Sequence, residues 1–210
     1  ATIKYNSAGT QIWVARYNGP GNGNDFAYSI VVDISGNVYV TGGSLGNVTS
    51  YLEYATVKYN SAGVQLWVGR YSSTSNFGAV AKSIALDDQG NVYVTGFSYA
   101  SGSDYDFATV KYNPVGTQQW AVRYNGTGNY TDYANSIAVD GTGNVYITGE
   151  SSASGLGSAD YTTIKYNSSG IQQWISRLSE GSGQSIAVND SGNVYVTGTF
   201  YGDTGNVLDY

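Results

Sequence analysis

At 210 residues the chain is long enough for one substantial hydrophobic core or for two small domains. Apolar residues make up 41% and charged residues only 11%, which excludes an intrinsically disordered chain, while a net charge of −6 disfavours nucleic acid and anionic membranes as partners. With neither Cys nor His, the chain has no disulfides, no thiolate metal site and no histidine general base, and no apolar run approaches the length needed for membrane insertion.

The first element belongs to a phrase that recurs through the whole chain. Ala1 opens ATIKYNSAG, which predicts a short strand and a turn, and a second strand follows around Trp13. The phrase returns, slightly varied, at Ala55, Ala108 and Thr162, and the tryptophan returns at Trp67, Trp120 and Trp174. A second phrase, GNVYVTG or GNVYITG, begins at Gly36, Gly90, Gly143 and Gly192. The chain therefore contains four repeat units, about 1–54, 55–107, 108–161 and 162–210, which we expect to form a single domain.

The residue pattern of each unit predicts four short strands. Two strands begin a unit, and in the third unit they lie at 108–112 and 119–124. Two more end it, for example at 136–140 in the third unit and, for the last strand, at 91–95 in the second unit. All are rich in β-branched and aromatic residues that alternate with a period of two. Asp-x-x-Gly-Asn and Asn-Ser-x-Gly join them as hairpin turns with a glycine where positive φ is needed. No segment shows helical periodicity, so the fold class is all-β.

Four antiparallel strands repeated at this interval are typical of the blades of a β-propeller. The strand at 136–140 alternates Ile and Val with Ser and Ala. A small-residue face suits the innermost strand of a blade, next to the axis. A stacked solenoid or a tandem sandwich is the alternative architecture.

The cycle AYSIVVDISGNVYVTGGS…YATVKYNSAGVQLWVGRY resembles the bacterial β-propeller repeat family known for its "seven-bladed" repeat. The resemblance covers all four units. It implies a propeller fold and an exported bacterial protein, extracellular or at the cell surface, but it supplies no activity and no site residues. This chain departs from the family name because it holds four units instead of seven.

The order of the predicted strands gives an incomplete blade at each end of the chain. The chain starts with the third and fourth strands of a blade and ends with a first and a second. We therefore expect one blade to be completed by both ends, with two strands from each. Such a blade would close a four-bladed ring, or join two chains into an eight-bladed ring as a homodimer, or mark an excerpt from a longer tract of repeats.

The basic residues recur with the repeat. Eight of the nine occupy equivalent positions, and only Lys82 falls outside them. The eight are Lys4, Lys58, Lys111, Lys165, Arg16, Arg70, Arg123 and Arg177. We expect them to contact recurring acids such as Glu53, Asp106, Asp160 and Asp209 within the blades, and not to form a basic ligand-binding ring. The recurring tryptophans predict packing between blades in preference to a stacking platform for ligands.

Two other patterns suggest ligand chemistry only superficially. Asp33, Asp87 and Asp140, with Asn189 in the fourth unit, begin the Asp-x-x-Gly-Asn turns. These turns lack the alternating ligands and the terminal Glu of an EF-hand, so bonding of the side chain to its own turn is the simpler interpretation. The glycines at 19–23 are not followed by Lys-Ser/Thr or by a helix and do not form a phosphate loop. We predict no metal and no cofactor.

Function is expected where the four units differ, which is in the long connections at one face of the blades. These connections are rich in Gly, Ser, Asn, Asp and Tyr, the chemistry of adaptable recognition loops. The predicted ligand-binding residues are Tyr51, Tyr99, Asp104, Tyr130, Asp132, Tyr201 and Asp203.

We predict a non-catalytic scaffold, not an enzyme, that presents this long-loop face to a protein or glycan ligand. The alternative is a carbohydrate-binding, lectin-like propeller. A carboxylate-based glycosidase or lyase would need a pair of acids across the loop face, such as Asp104 with Asp132 or Glu150 with Asp203.

Overall fold

A computed structural model describes residues 1–47, 51–73, 77–153, 159–201 and 208–209. These residues form seventeen β-strands and no helix. Accordingly, the described chain contains no helical segment suited to crossing a membrane. The all-β fold class predicted from the sequence is confirmed.

The strands form five antiparallel sheets in chain order. The front sheet contains β1 (Thr2–Tyr5) and β2 (Gln11–Ala15). Blade one contains β3 (Asp25–Val32), β4 (Val38–Leu45), β5 (Leu52–Tyr59) and β6 (Gln65–Tyr71). Blade two contains β7 (Ala79–Leu86), β8 (Val92–Ala100), β9 (Asp104–Tyr112) and β10 (Gln118–Tyr124). Blade three contains β11 (Asp132–Val139), β12 (Val145–Ser151), β13 (Asp160–Tyr166) and β14 (Gln172–Leu178). The rear sheet contains β15 (Gly181–Val188), β16 (Val194–Tyr201) and β17 (Leu208–Asp209).

The first strand of each blade carries a β-bulge, and a glycine opposite makes room for it. In blade two the register shifts between Ala81 and Ser83, opposite Gly96. A Cβ added to Gly96 would lie 2.1 Å from the carbonyl oxygen of Val80. The glycine that ends the GNVYVTG phrase is therefore required by the close approach of the bulged backbone.

The hairpin turns follow the predicted pattern. In blade one the Asp33 N–H donates to the Asn37 carbonyl, and Gly36 lies at φ 76°. One carboxylate oxygen of Asp33 accepts the backbone N–H groups of Ser35 and Asn37, both at 2.9 Å. The aspartate thus bonds to its own turn, as the simpler interpretation of this pattern required.

The first strands of successive sheets are neighbours and form the innermost layer. The hydroxyl of Ser83 on β7 accepts the N–H of Ile137 on β11 at 3.3 Å. Ser136 on β11 accepts the N–H of Ile186 on β15 at the same distance. Small side chains let these strands approach one another, which is the arrangement expected of strands that surround a propeller axis.

The hydrophobic core of the described residues consists of three layers, each lying between two neighbouring sheets. Between blades one and two, Tyr54 of β5 packs with Ile84, Val94 and Val110 of blade two. The hydroxyl of Tyr54 donates to the carbonyl of Ala108 on the next blade at 2.9 Å. Equivalent layers join blade two to blade three and the front sheet to blade one. The sheets thus pack face to face in sequence order, as the blades of a propeller do.

The recurring tryptophans connect neighbouring sheets, as predicted. The indole N–H of Trp13 donates to the carbonyl of Ser61, and that of Trp67 to the carbonyl of Pro114. Trp120 donates in the same way to Ser168 at 3.1 Å. Each bond reaches from the fourth strand of one sheet to the turn between the third and fourth strands of the next.

Two of the four recurring arginines form ion pairs with acids in the described part of the chain. Arg70 binds Glu53 at 2.9 Å, and Arg123 binds Asp106 at 2.8 Å, so these arginines form the expected ion pairs.

The lysines form no such ion pairs among the described residues. Lys58 Nζ instead lies over the ring of Tyr39 and donates to the carbonyl of Pro114 on the next blade. Lys111 repeats this arrangement with Tyr93 and Ser168. These lysines therefore join blades, because their long side chains reach the turn of the following sheet.

The two end sheets remain separate in the described part of the chain. There, β1 pairs with β2, and β16 pairs with β15 and β17. Leu208 and Asp209 of β17 occupy the register on β16 that Leu52 and Glu53 occupy on β4. The expectation that both ends complete one blade stays a prediction. The strands that such a blade would combine are those of the front sheet and the rear sheet.

Candidate ligand-binding cleft

A cleft of about 520 Å³ lies between blades one and two at the end of the sheets that carries the long connections. Its size is within the range of small-molecule sites. Its walls are mainly aromatic and aliphatic. The lining residues are Gly23, Asn24, Phe26, Leu45, Tyr51, Leu52, Phe77, Gly78, Ala79, Val80, Phe97 and Tyr105.

Six aromatic rings lie in continuous contact beside the cleft, and four of them line it. We call the six rings the aromatic cluster. They come from two of the long connections, from the two central strands of blade two and from the first strand of blade three. Its members are Tyr51, Phe77, Phe97, Tyr99, Tyr105 and Tyr133.

The rings are close and mostly tilted or edge-on. The Phe77 ring centroid lies 5.6 Å from that of Tyr51 and 4.8 Å from that of Tyr99. The centroid of Phe97 lies 5.3 Å from Tyr105 and 4.8 Å from Tyr133, with interplanar angles of 84° in both pairs. Edge-to-face contacts of this kind stabilise aromatic pairs and hold their faces in fixed orientations.

Backbone contacts hold the exposed part of the cluster in place. The N–H of Tyr99 donates to the carbonyl of Gly78 at 3.0 Å, and the hydroxyl of Tyr105 donates to the carbonyl of Phe77 at 3.4 Å. Gly78 lies at φ 105°, a conformation that residues other than glycine rarely adopt. The segment that carries Phe77 is therefore fixed against the long hairpin of blade two.

Acidic groups border the cluster and affect its hydroxyl groups. Burial raises the pKa of Tyr105 above its ordinary value, and the nearby charge of Asp104 raises it further. Burial likewise raises the pKa of Tyr133, with additional contributions from Asp104, Tyr105 and Glu150. Both phenols are therefore protonated hydrogen-bond donors at neutral pH.

One cation lies over a ring of the cluster. Lys82 is the basic residue that does not recur in the repeat, and its Nζ lies 4.5 Å from the ring centroid of Tyr28 and 5.7 Å from that of Phe97. These are cation–π distances. The cluster thus has an acidic border at Asp104 and a basic one at Lys82.

Part of the aromatic cluster occupies positions where the repeat units differ. Phe97 corresponds to Gly43, Glu150 and Thr199 in the other sheets, as the register of the second strands shows. Tyr133 corresponds to Phe26, Val80 and Ser182. Phe97 therefore has no aromatic counterpart in the other sheets, whereas Tyr133 has one in Phe26.

The structure brings three of the predicted site residues together. Tyr51 and Tyr99 belong to the aromatic cluster, and Asp104 lies at its border at φ 61°. Tyr130 is exposed and makes none of the ring contacts that define the cluster. The side chain of Tyr201 and all of Asp203 lie outside the described residues.

Asp132 has a structural position. It is fully buried, and its carboxylate accepts the N–H of Gly126 at 2.7 Å. Burial raises the pKa of this carboxyl above its ordinary value. Asp25 makes the same bond to Gly19 in blade one, so this aspartate closes the long connection before the first strand. An acid held in this way is not exposed to pair with Asp104 across a bound sugar.

Sequence reasoning missed Phe77, Phe97, Tyr105 and Tyr133. The structure places the last three within strands. For Phe97 and Tyr105, the signal is an aromatic residue at a position where the other units have none. In the described residues, no group of three or more acidic side chains is close enough together to hold a metal ion.

Comparison with known proteins supports the propeller. Two segments, residues 12–48 and 119–157, match the family model described as a β-propeller repeat. The chain therefore carries β-propeller repeats, and the resemblance seen in the sequence is confirmed. No curated protein is significantly similar to the chain.

A solved structure described as a gluconolactonase from Xanthomonas campestris is similar to the chain in fold, with a TM-score of 0.50 and 12% sequence identity. The match covers 87% of this chain and 60% of that structure. It establishes the propeller fold. It also contradicts the prediction of a non-catalytic scaffold, because the matched propeller is an enzyme. The separate prediction that this chain has no enzymatic activity stays a prediction.

Proposed function

We propose that the cleft between blades one and two binds the ring of a sugar or of a small sugar-derived molecule. The observation that carries this proposal is the aromatic cluster, six rings in contact, four of which line the cleft. Phe97, at the centre of the contacts with Tyr105 and Tyr133, has no aromatic counterpart in the other sheets.

The chemistry of the cleft suits a ring with an apolar face and a polar edge. The exposed rings of Tyr51 and Phe77 provide flat apolar surface beside the cleft. Asn24 and the hydroxyl of Tyr105 add donors and acceptors within the lining. This combination of aromatic area with a few polar groups is typical of small-molecule sites.

The charges favour a neutral ligand. Asp104 lies next to the cluster and repels anions, while Lys82, which lies over the ring of Phe97, repels cations. A neutral sugar or a lactone avoids both costs. The exported location that the repeat family implies would place the cleft in contact with such molecules outside the cell.

The test is a binding titration of the purified chain against neutral monosaccharides, oligosaccharides and glucono-lactone, with product formation followed in the same samples. Phe77→Ala is expected to weaken binding about tenfold, equivalent to about 1.4 kcal/mol, because it removes the exposed face of the cluster. Tyr130→Ala is the matched control, since Tyr130 is similarly exposed but lies outside the cluster.

Saturable binding that Phe77→Ala weakens and Tyr130→Ala leaves unchanged supports the proposal. Equal loss in both variants, or no saturable binding to any of these probes, contradicts it. Release of product from the lactone would add a catalytic role to the same cleft.

A further inference from the structure

Three aromatic rings fill part of the interface between blades two and three. The ring centroid of Tyr133 on β11 lies 4.8 Å from that of Phe97 and 6.0 Å from that of Tyr105. Phe97 and Tyr105 are also in contact with each other, with centroids 5.3 Å apart. A six-membered ring of blade three is thus held against two rings of blade two by tilted and edge-to-face contacts.

The interface between blades one and two has smaller residues at the same three positions. The strand registers give the correspondence, which is Gly43 for Phe97, Leu52 for Tyr105 and Val80 for Tyr133. These smaller residues are also neighbours, because a Cβ added to Gly43 would lie 3.3 Å from Leu52 Cδ1 and 3.6 Å from Val80 Cγ2. The same three positions therefore meet in both interfaces, with rings in one and none in the other.

The cleft lies where these rings are missing. Leu52 and Val80 are among the residues that line its volume of about 520 Å³. The hydrophobic layers of the two interfaces contain equivalent residues, such as Ala81 and Ala134. The blades therefore pack together in the same way in both interfaces, and the space of the cleft comes from the small side chains.

Residues around this space also differ between the two interfaces. Burial raises the pKa of Tyr133, and the nearby charges of Asp104 and Glu150 raise it further. In the interface between blades one and two, Tyr51 corresponds to Asp104 and Phe97 corresponds to Glu150. Both of these rings line the cleft. A ring in the cleft therefore meets aromatic faces where Tyr133 meets acids, which favours a neutral ring with an apolar face.

We propose that a six-membered ring of the ligand occupies, between blades one and two, the place that the Tyr133 ring occupies in the next interface. Gly43, Leu52 and Val80 then determine which ligands enter, because their side chains leave the space that the ring fills. This inference rests on the proposed function of the cleft and adds the class of ligand to it. The ligand is a free monosaccharide-sized ring or the terminal ring of a glycan, since only an end ring can insert as a tyrosine side chain does.

Val80→Tyr places the missing ring in the cleft and tests the proposal directly. The neighbours of position 80 are smaller than those of Tyr133, so we expect the variant to fold and to keep its Tm. It should weaken the binding of neutral monosaccharides at least about tenfold, because the added ring takes the place of the ligand. Leu52→Tyr adds a ring at a second of the three positions and should have the same effect. Binding titration and thermal unfolding of both variants are the measurements.

Val115→Tyr is the matched control. It is the same substitution in the turn between β9 and β10, at the opposite end of blade two from the cleft, where Val115 is 74% exposed. Its binding of monosaccharides is expected to equal that of the unmodified chain. A loss of binding as large as that of Val80→Tyr would overturn the proposal, because an added ring far from the cleft would then have the same effect.

The phenol p-cresol, which is the side-chain analogue of tyrosine, probes the same space without a sugar. We expect it to bind the unmodified chain saturably and to bind Val80→Tyr at least about tenfold more weakly. Adding Tyr133→Ala to Val80→Tyr should restore the binding of p-cresol, because it removes the ring from the equivalent place in the next interface. Chemical-shift titration by NMR measures each affinity.

The two probes separate this proposal from the proposed function. Loss of p-cresol binding in Val80→Tyr and its recovery with Tyr133→Ala support the proposal, and if no sugar binds in the same experiments, only the proposed sugar-binding function fails. Sugar binding that Phe77→Ala weakens but Val80→Tyr and Leu52→Tyr leave unchanged overturns the proposal alone. Equal p-cresol binding to Val80→Tyr and to the unmodified chain, or none to either, also overturns it.

Discussion

The carboxylate of Asp140 shows how one side chain fixes a hairpin. It accepts the backbone N–H groups of Thr142 and Asn144 at 2.9 Å, and its second oxygen accepts the amide of Asn144 and the hydroxyl of Tyr146. Burial acts to raise the pKa of Asp140, but these hydrogen bonds outweigh it and lower the pKa below the ordinary value. Asp33 has a lowered pKa for the same reason.

These aspartates make the stability of the fold depend on pH. A carboxyl whose pKa is lower in the folded chain stabilises the fold above its unfolded pKa, and this stabilisation is lost as the pH falls through the folded value. We expect the Tm to fall as the pH is lowered below the ordinary value of 3.8. The fall should be shallower in an Asp33→Asn, Asp140→Asn double variant, measured by thermal unfolding between about pH 5 and pH 2.

Asn189 supplies a natural control for this substitution. It occupies the same turn in the rear sheet and accepts the N–H groups of Ser191 and Asn193, so the turn tolerates an amide. At neutral pH the double variant is expected to lose about 1 kcal/mol for each charged acceptor removed. Parallel pH profiles for the variant and the unmodified chain would contradict this role of the carboxylates.

At the scale of the strand, the pairing between third and fourth strands depends on a charged contact in two of the blades. Arg123 on β10 donates to Asp106 and to the hydroxyl and carbonyl of Ser98. Asp106 is buried, so its charge depends on this partner. Arg177 occupies the same position in blade three, but it contacts the hydroxyl groups of Tyr124 and Thr127.

Loss of the two arginines should therefore have unequal effects. Arg123→Ala is expected to destabilise the fold by about 3 kcal/mol, because it leaves the buried Asp106 carboxylate unpaired. Arg177→Ala should cost less than about 1 kcal/mol. Urea unfolding of both variants measures the difference, and equal losses would show that the ion pair is not the cause.

The strands and turns were largely predictable because their causes are local. Alternating β-branched residues and the Asp-x-x-Gly-Asn turn placed the second strand close to its observed start at Val92. The first strand begins earlier than predicted, at Asp132 instead of 136, because the bulge at 134–136 interrupts the alternation. A bulge depends on the opposing strand, which the local pattern does not reveal.

The cleft was less predictable because it depends on how blades are placed next to each other. Tyr51 and Tyr99 were identified from their loops, but Phe97 and Tyr133 come from the strands of two different blades. Nothing in a single repeat unit shows that these rings meet. The buried position of Asp132 likewise depends on the Gly126 backbone that folds over it.

At the scale of the whole molecule, each of the first three sheets is joined to the next by the same tryptophan contact, from Trp13 to Ser61, from Trp67 to Pro114 and from Trp120 to Ser168.

The phrase ATVKYN lies on the third strand of a blade, and each blade runs from a first strand to a fourth. An unequal crossover in the coding sequence between two copies of ATVKYN, at Ala55 and Ala108 for example, would remove one full cycle of strands. The hybrid blade would combine the first two strands of one blade with the last two of the next, in an unchanged order. Recombination can thus change the number of blades while each surviving interface keeps the residues that already fit it.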